Sequence, residues 1–335
     1  MSNLIPVSSA DEGGRLDHWL QKQYPQVPYG YWAKSCRKGQ IRVDGKRVKG
    51  NERLQSGQVV RLPPESVLRE ASVLPPPAER QQDASLADLK NLESWIIHED
   101  KDFVALNKPA GFAVQGGTSI KKHLDGILQV WGAHRGFSPH LVHRLDKDTS
   151  GIILIAKNEG SARRLCDAFK QHKIYKLYLA IATKVPHPLE GKIDKPLKKE
   201  GGMGKEKMRI SKEGDRAITL YKVIQQAGKK ASLMALAPLT GRTHQLRVHL
   251  ESLGTPILGD GKYGGKEVLW EGFPKKLHLH AYALLIPQAK GFLFLKAEIS
   301  PHIKQSLDQL GFYHEETFRE AEEFLRGVAK HQAEY

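Results

Sequence analysis

His143-Arg144-Leu145-Asp146-Lys147-Asp148-Thr149-Ser150-Gly151 is a charge-dense turn that runs directly into the apolar segment Ile152 to Ala156. A short apolar run bounded by turn residues reads as a buried strand, so charged groups stand at the mouth of a core strand. Asp146 lies between Leu145 and that strand, which predicts a partly desolvated carboxylate. Such a group stays ionised only beside a cation or strong donors. The partner must come from elsewhere in the chain.

The 335 residues leave room for two domains at roughly 100–200 residues each. A formal net charge of +15 favours a polyanionic partner. Nucleic acid is the commonest, because Lys and Arg release condensed counterions from phosphates. A basic surface kept for solubility is the alternative. Cys36 and Cys166 lie apart from each other and from any CxxC pattern, which argues against a disulfide framework and a zinc site; both read as buried thiols. Met1 to Asp11 lacks a basic region followed by an apolar stretch, and no apolar run approaches the ~20 residues that span a bilayer. A cytoplasmic protein without membrane association is expected.

Residues 1–10 read as a tail and 11–62 as a small basic module, with eleven Lys/Arg against five Asp/Glu. Leu16, Trp19 and Leu20 recur at helical spacing behind Gly13-Gly14, and a second short helix is expected from Tyr31 to Lys38. Gln40 to Val48 alternates about Asp44-Gly45, a strong hairpin signal, and Gln58 to Leu62 supplies a further strand. Prolines at 63, 64 and 75–77 mark 63–92 as a linker, with a short helix near Leu86 to Leu92. A hairpin of Trp95–His98 and Phe103–Leu106 opens the next domain.

Further on, Glu159 to His172 reads as a helix, and Ile174–Ile181, Thr219–Ile224, Ser232–Ala237 and Phe292–Ala297 read as strands. Lys192 to Lys212 carries eight Lys/Arg against three acids and several glycines, which suggests a loop that is mobile until it meets RNA. Two glycine patterns are decoys. Gln115-Gly116-Gly117-Thr118 lacks the Gly-Lys-Ser/Thr ending of a phosphate loop. Gly259 to Gly264 spells GxGxxG, but no apolar helix follows and no acid lies about 20 residues on. His278-x-His280 offers two ligands without an evident third, so a metal is not expected. Helices at Pro301–Leu310 and His314–Lys330 close the chain.

Thr243 can cap a helix whose Leu246, Leu250 and Leu253 face the core and which Gly254 and Pro256 end. Arg247 borders that apolar face and needs a carboxylate. Asp146 is the expected partner, with Glu251, one turn away, as the alternative.

The module from Arg15-Leu16-Asp17 through Cys36-Arg37-Lys38-Gly39, Val43-Asp44-Gly45 and Gly57-Gln58 resembles the S4 RNA-binding domain. His143–Asp146, Thr149-Ser150-Gly151, Lys176–Ala180, Gly241–His249 and Pro256–Asp260 resemble the RluA family of pseudouridine synthases, from about Trp95 to beyond Ala297. With Asn107-Lys108-Pro109-Ala110-Gly111 and the S4-like module, the chain looks most like the RluC-type enzymes of large-subunit ribosomal RNA. The resemblance implies an α+β pseudouridine synthase fold with a mixed, largely antiparallel sheet. The catalytic domain would span 93–300, with C-terminal helices 301–335 packed on it.

It also implies isomerisation of uridine to pseudouridine in RNA, without metal or organic cofactor. Asp146 would act on the uracil ring or the sugar C1′, or assist glycal formation; Arg247 would keep it anionic. Tyr178 would stack on the base and take part in proton transfer from C5. Arg144 would hold the space left by a flipped nucleotide, and Asp148 would hydrogen-bond the turn. Arg242 and His244 are expected to contact RNA, as are Arg37, Lys38, Arg42, Lys46 and Arg47 of the S4-like module. The expected substrate is 23S ribosomal RNA; the alternatives are the same reaction on transfer RNA and a non-catalytic RNA-binding ribosome-assembly protein. A monomer is expected.

Overall fold

The computed structural model describes residues 3–27, 29–73, 84–116, 122–201 and 207–333. Pro75–Pro77, Gln81–Asp83, Gly117-Thr118, Gly202 and Gly204, on which parts of the linker and loop expectations rest, lie outside these residues. The chain divides into two units, Met1–Asp83 and Ala84–Tyr335.

In the first unit, β1 (Asn3–Pro6), α1 (Leu16–Gln23), α2 (Tyr29–Arg37), β2 (Arg42–Val43), β3 (Lys46–Arg47), β4 (Val59–Leu62) and α3 (Glu65–Val73) follow in order. The sheet order is β1-β4-β2-β3. The helical stripe is seated as expected, with Leu16, Trp19 and Leu20 in a core shared with Trp32, Ile41 and Val60. Asp44 and Gly45 both have positive φ, 49° and 76°, the geometry that matches a two-residue turn to the twist of its strands. Two boundaries differ from expectation. Asn3–Pro6 is no tail but an edge strand paired with β4. The expected linker begins with α3, whose Leu68 is buried in this core, because Leu68 follows the proline pair at the spacing of a helix start.

The second unit runs α4 (Leu86–Ser94), β5 (Ile96–Glu99), β6 (Phe103–Lys108), α5 (Leu124–Arg135), β7 (His140–Leu141), β8 (Ser150–Ala156), α6 (Glu159–Lys170) and β9 (Tyr175–Thr183). There follow β10 (Glu190–Asp194), β11 (Leu197–Glu200), β12 (Lys207–Ile210), β13 (Ile218–Ala227), β14 (Ala231–Pro238), α7 (Gln245–Ser252), β15 (Leu279–Pro287), β16 (Phe292–Lys296), α8 (Pro301–Gln309) and α9 (Glu315–Ala333). Among the described residues the main sheet has the order β10-β13-β14-β9-β15-β8-β6-β5, with β16 on β15 and β7 on β8. It is mixed: β15 and β8 are parallel, whereas β15 and β9 are antiparallel.

Strand periodicity explains the layers, because alternate side chains go to opposite faces. In β8, Ile153 and Ile155 pack with Leu124, Leu128 and Trp131 of α5, while Ile152 and Leu154 pack with Leu165 of α6. In β9, Leu177, Leu179 and Ile181 meet Ile303, Leu307, Ala321 and Leu325 of the two C-terminal helices. Ala180 and Ala182 meet Leu246 and Leu250 of α7 on the opposite face. All seven residues of β8 are buried, as an apolar run covered on both faces requires.

The Lys192–Lys212 expectation is corrected: most of it is structured as β10 and the β11–β12 hairpin, since Ile193 and Leu197 are buried between lysines that are exposed or half-buried. Cys166 is exposed rather than buried, because it sits beside the buried Leu165 on α6. Among the described residues no helix is long and apolar enough to cross a membrane.

His278 and His280 are fully buried beside the middle of the sheet. Their nitrogens meet the Leu258 carbonyl (3.0 Å), Ser306 Oγ (2.8 Å) and Ser150 Oγ (2.8 Å). Burial pushes their pKa values down to about 4 and about 3. Below pH 6.5 the unfolded chain therefore takes up protons that the fold refuses, so stability falls as pH falls. Two such groups give a change of about 2.4 kcal/mol between pH 6 and 5. Urea midpoints at pH 7.5, 6 and 5 should drop in that order; a midpoint that stays constant contradicts this placement.

Candidate active site

The turn at 143–151 is held from below by Lys108, at the end of β6. This lysine is fully buried. Its ammonium donates to the carbonyls of Pro109 (2.9 Å), Phe112 (3.0 Å) and Lys147 (3.1 Å). Gly111 N–H adds a second donor to the Lys147 carbonyl at 2.9 Å, and Thr149 N–H closes the turn on the Asp146 carbonyl at 3.2 Å. Burial lowers the Lys108 pKa to about 8, while the charges of Asp148 and Asp146 oppose that shift. Three charge-assisted hydrogen bonds at roughly 1.5–3 kcal/mol each can offset an effective desolvation cost of several kcal/mol. At the strand end, Gly151 (φ 110°) leaves no room for a side chain against the Ala281 backbone of β15.

Above the turn opens a cavity of about 520 Å³. Asp146, Tyr178, Arg247, Arg144, Arg242 and His244 all line it, so residues from three separate stretches of sequence meet in one place. Arg37, Lys38, Arg42, Lys46 and Arg47 belong to the first unit. There Arg37, Lys38, Lys46 and Arg47 are exposed, and Arg42 is half-buried, donating to the Gly45 carbonyl at 2.9 Å.

The expected Asp146–Arg247 pair is corrected. Arg247 makes a two-pronged bond to Asp260, Nε to Oδ2 at 2.7 Å and Nη2 to Oδ1 at 2.6 Å, and both residues are buried. Burial alone would weaken the Arg247 charge; the Asp260 carboxylate outweighs it and the pKa is raised. Asp260 was hidden inside the GxGxxG decoy, whose Gly259 (φ 78°) turns the chain so that the next residue points back under α7. Glu251 is exposed.

The group facing Asp146 is His244, with Nε2 3.8 Å from Oδ2. His244 Nδ1 lies 2.7 Å from the Tyr263 hydroxyl, which accepts a hydrogen bond from Met208 N–H at 3.2 Å. Burial lowers the His244 pKa, with the Asp146 charge acting against it. The Arg247 guanidinium lies over the Tyr263 ring, 5.1 Å from its centroid. Asp146, His244, Tyr263, Arg247 and Asp260 therefore form one connected network.

Helix α7 starts at Gln245, not behind a Thr243 cap; His244 precedes it in the left-handed region at φ 53°. Gln245 anchors the turn instead, its Oε1 accepting from Arg242 N–H (3.0 Å) and the Thr240 hydroxyl (2.7 Å). Its amide donates to the Ile218 carbonyl, and His249 one turn later meets Thr219 Oγ1 at 2.9 Å. Both polar side chains tie α7 to β13, which frees Leu246 and Leu250 for the core.

Tyr178 and Lys176 share the cavity face of β9. Burial first, and the nearby Asp146 charge second, push the Tyr178 pKa well above the usual phenol range. Its resting form is the neutral phenol, not a standing base. His143 accepts the Leu154 N–H at 2.8 Å and lies against Phe169, ring centroids 4.5 Å apart; burial pushes its pKa down to about 3. It is neutral and fixes the turn. Arg144 is exposed at the rim. Arg242 Nε donates to the Arg216 carbonyl at 3.1 Å, and Nη1 lies 3.6 Å from Asp215.

Sequence reading passed over Lys108, Asp260 and Tyr263 as parts of this site. The first two sat in recognisable motifs, but a buried lysine and an acid after glycine carry no periodic signal.

The family model described as RNA pseudouridylate synthase matches residues 102–252. The chain is similar to the ribosomal large subunit pseudouridine synthase C of Rickettsia felis, 36% identical over 278 residues, 82% of this chain and 88% of the relative. The protein of the same name from Salmonella typhi is 34% identical over 316 residues, 92% of this chain and 96% of the relative. Among solved structures, human RNA Pseudouridylate Synthase Domain Containing 4 aligns with a TM-score of 0.58 at 30% identity, covering 69% of this chain and 97% of that one. Likeness at this level over nearly the whole of such relatives means that the chain belongs to the RNA pseudouridylate synthase family.

Proposed function

We propose that this protein isomerises uridine to pseudouridine in large-subunit ribosomal RNA, with Asp146 as the group that acts on the target nucleoside. The observation that carries the proposal is the convergence of Asp146, Tyr178, His244 and Arg247 on one cavity. The names of the relatives support the substrate class.

The reaction conserves every atom. The bond from C1′ to N1 breaks, the detached uracil turns, C5 bonds to C1′, and the C5 proton is lost while N1 gains one. A reversible nucleophile or base and a pocket that retains the ring are what this requires. Asp146 would take the first role, at the sugar C1′ or at the ring. His244 faces it across 3.8 Å. Arg247, fixed by Asp260, adds positive potential that favours the anion. Tyr178 offers a protonated ring for stacking. Arg144, at the rim, is placed to occupy the stack from which the nucleotide is extruded.

Asp146→Ala is expected to abolish pseudouridine formation in a large-subunit ribosomal RNA transcript while leaving the RNA Kd within about threefold of the wild type. Retained activity would sink the assignment. Mapping of ribosomal and transfer RNA from cells with and without the gene locates the sites; loss confined to transfer RNA would move the substrate there.

We further propose that the first unit is an S4-like RNA-binding domain. Its exposed Arg37, Lys38, Lys46 and Arg47 cluster about the tight hairpin and the end of α2, and support phosphate binding. Replacing Lys38, Lys46 and Arg47 with Ala should flatten the slope of log K against log salt by about 0.7–0.9 for each phosphate no longer neutralised. An unchanged slope contradicts this role.

A further inference from the structure

Among the described residues of the second unit, burial lowers the pKa of two lysines, and they differ in one respect. Lys108 spends its ammonium on three carbonyls. Lys176 is half-buried in the wall of the cavity, and its ammonium makes no hydrogen bond or ion pair with any described residue. Burial pushes its pKa down to about 8. Burial first, and the charges of Lys176 and Arg242 second, lower the His172 pKa, and these three residues line the cavity together with Asp146. A buried ammonium without a partner is an uncompensated cost unless an incoming anion relieves it.

We infer that Lys176 forms a phosphate subsite of the cavity, taking a backbone phosphodiester of the RNA at the nucleotide being isomerised. The inference rests on reading the cavity as a uridine-isomerising site. Phosphates are the only anions that RNA carries. Lys176 stands two residues from Tyr178 on the same face of β9, roughly 7 Å along the strand. A nucleobase stacked on Tyr178 therefore has its own phosphate within reach of Lys176. Gly241 leaves the approach open, since even a Cβ there would lie 4.0 Å from the ammonium. Arg242, already bonded to the Arg216 carbonyl, flanks the same end of the cavity.

The probe is an in vitro transcript of large-subunit ribosomal RNA, assayed with the full chain at several KCl concentrations. Lys176→Met should raise KM at least fivefold, leave kcat within threefold, and flatten the salt slope by the equivalent of about one phosphate, 0.7–0.9. Lys176→Gln should behave as Lys176→Met, and Lys176→Arg should restore both KM and slope. These two variants keep the test decisive if the methionine protein does not fold. An unchanged KM and slope in the neutral variants overturns the inference, as does a fall in kcat alone, which would place the lysine on the base. If the wild type forms no pseudouridine in the transcript, the functional reading fails first, and the two failures are distinct.

Discussion

Everything at the active-site turn depends on the Lys147 carbonyl. It is gripped by the buried Lys108 ammonium at 3.1 Å and by Gly111 N–H at 2.9 Å. Because Lys108 also holds Pro109 and Phe112, the segment after β6 and the turn before β8 are fastened to one point in the core. Asp146, the residue before the gripped carbonyl, lines the cavity. The same clamp explains why so polar a stretch can end a fully buried strand: its charges are arranged around a cation supplied from below.

The second constraint comes from α7. A buried arginine placed directly against Asp146 would bind the carboxylate that the proposed reaction needs free. The fold instead gives Arg247 its own carboxylate, Asp260, in a two-pronged bond. Removing one member of such a buried pair typically costs about 3–5 kcal/mol, so the guanidinium is fixed. Arg247 thus acts on Asp146 through its field rather than through a hydrogen bond, and His244 is the group that faces the carboxylate.

The fold was legible in the sequence where a period recurs. Leu16, Trp19 and Leu20 marked α1, Ile152 to Ala156 marked β8, and Asp44-Gly45 marked the hairpin. It was obscured where burial is two-sided or local: β15, Leu279–Pro287, is buried almost throughout and shows no alternation. Helix α5 was passed over for a similar reason, its apolar residues being spread between Gly126, Gly132 and Gly136. At the site, Asp146, Tyr178, Arg247, Arg144, Arg242 and His244 could be named from motifs and do share a cavity. Their partners could not, because the choice of Asp260 over Asp146 for Arg247 depends on how one glycine turn folds beneath a helix.

The account stands on the claim that Lys108 positions Asp146 by holding the Lys147 carbonyl. The most direct measurement is the single-turnover rate of pseudouridine formation by Lys108→Met, alongside its RNA Kd and a circular dichroism spectrum to verify the fold. The account predicts a rate at least tenfold below the wild type with Kd within about twofold, since the variant leaves the RNA-facing groups in place. A folded Lys108→Met protein that turns over at the wild-type rate would contradict it.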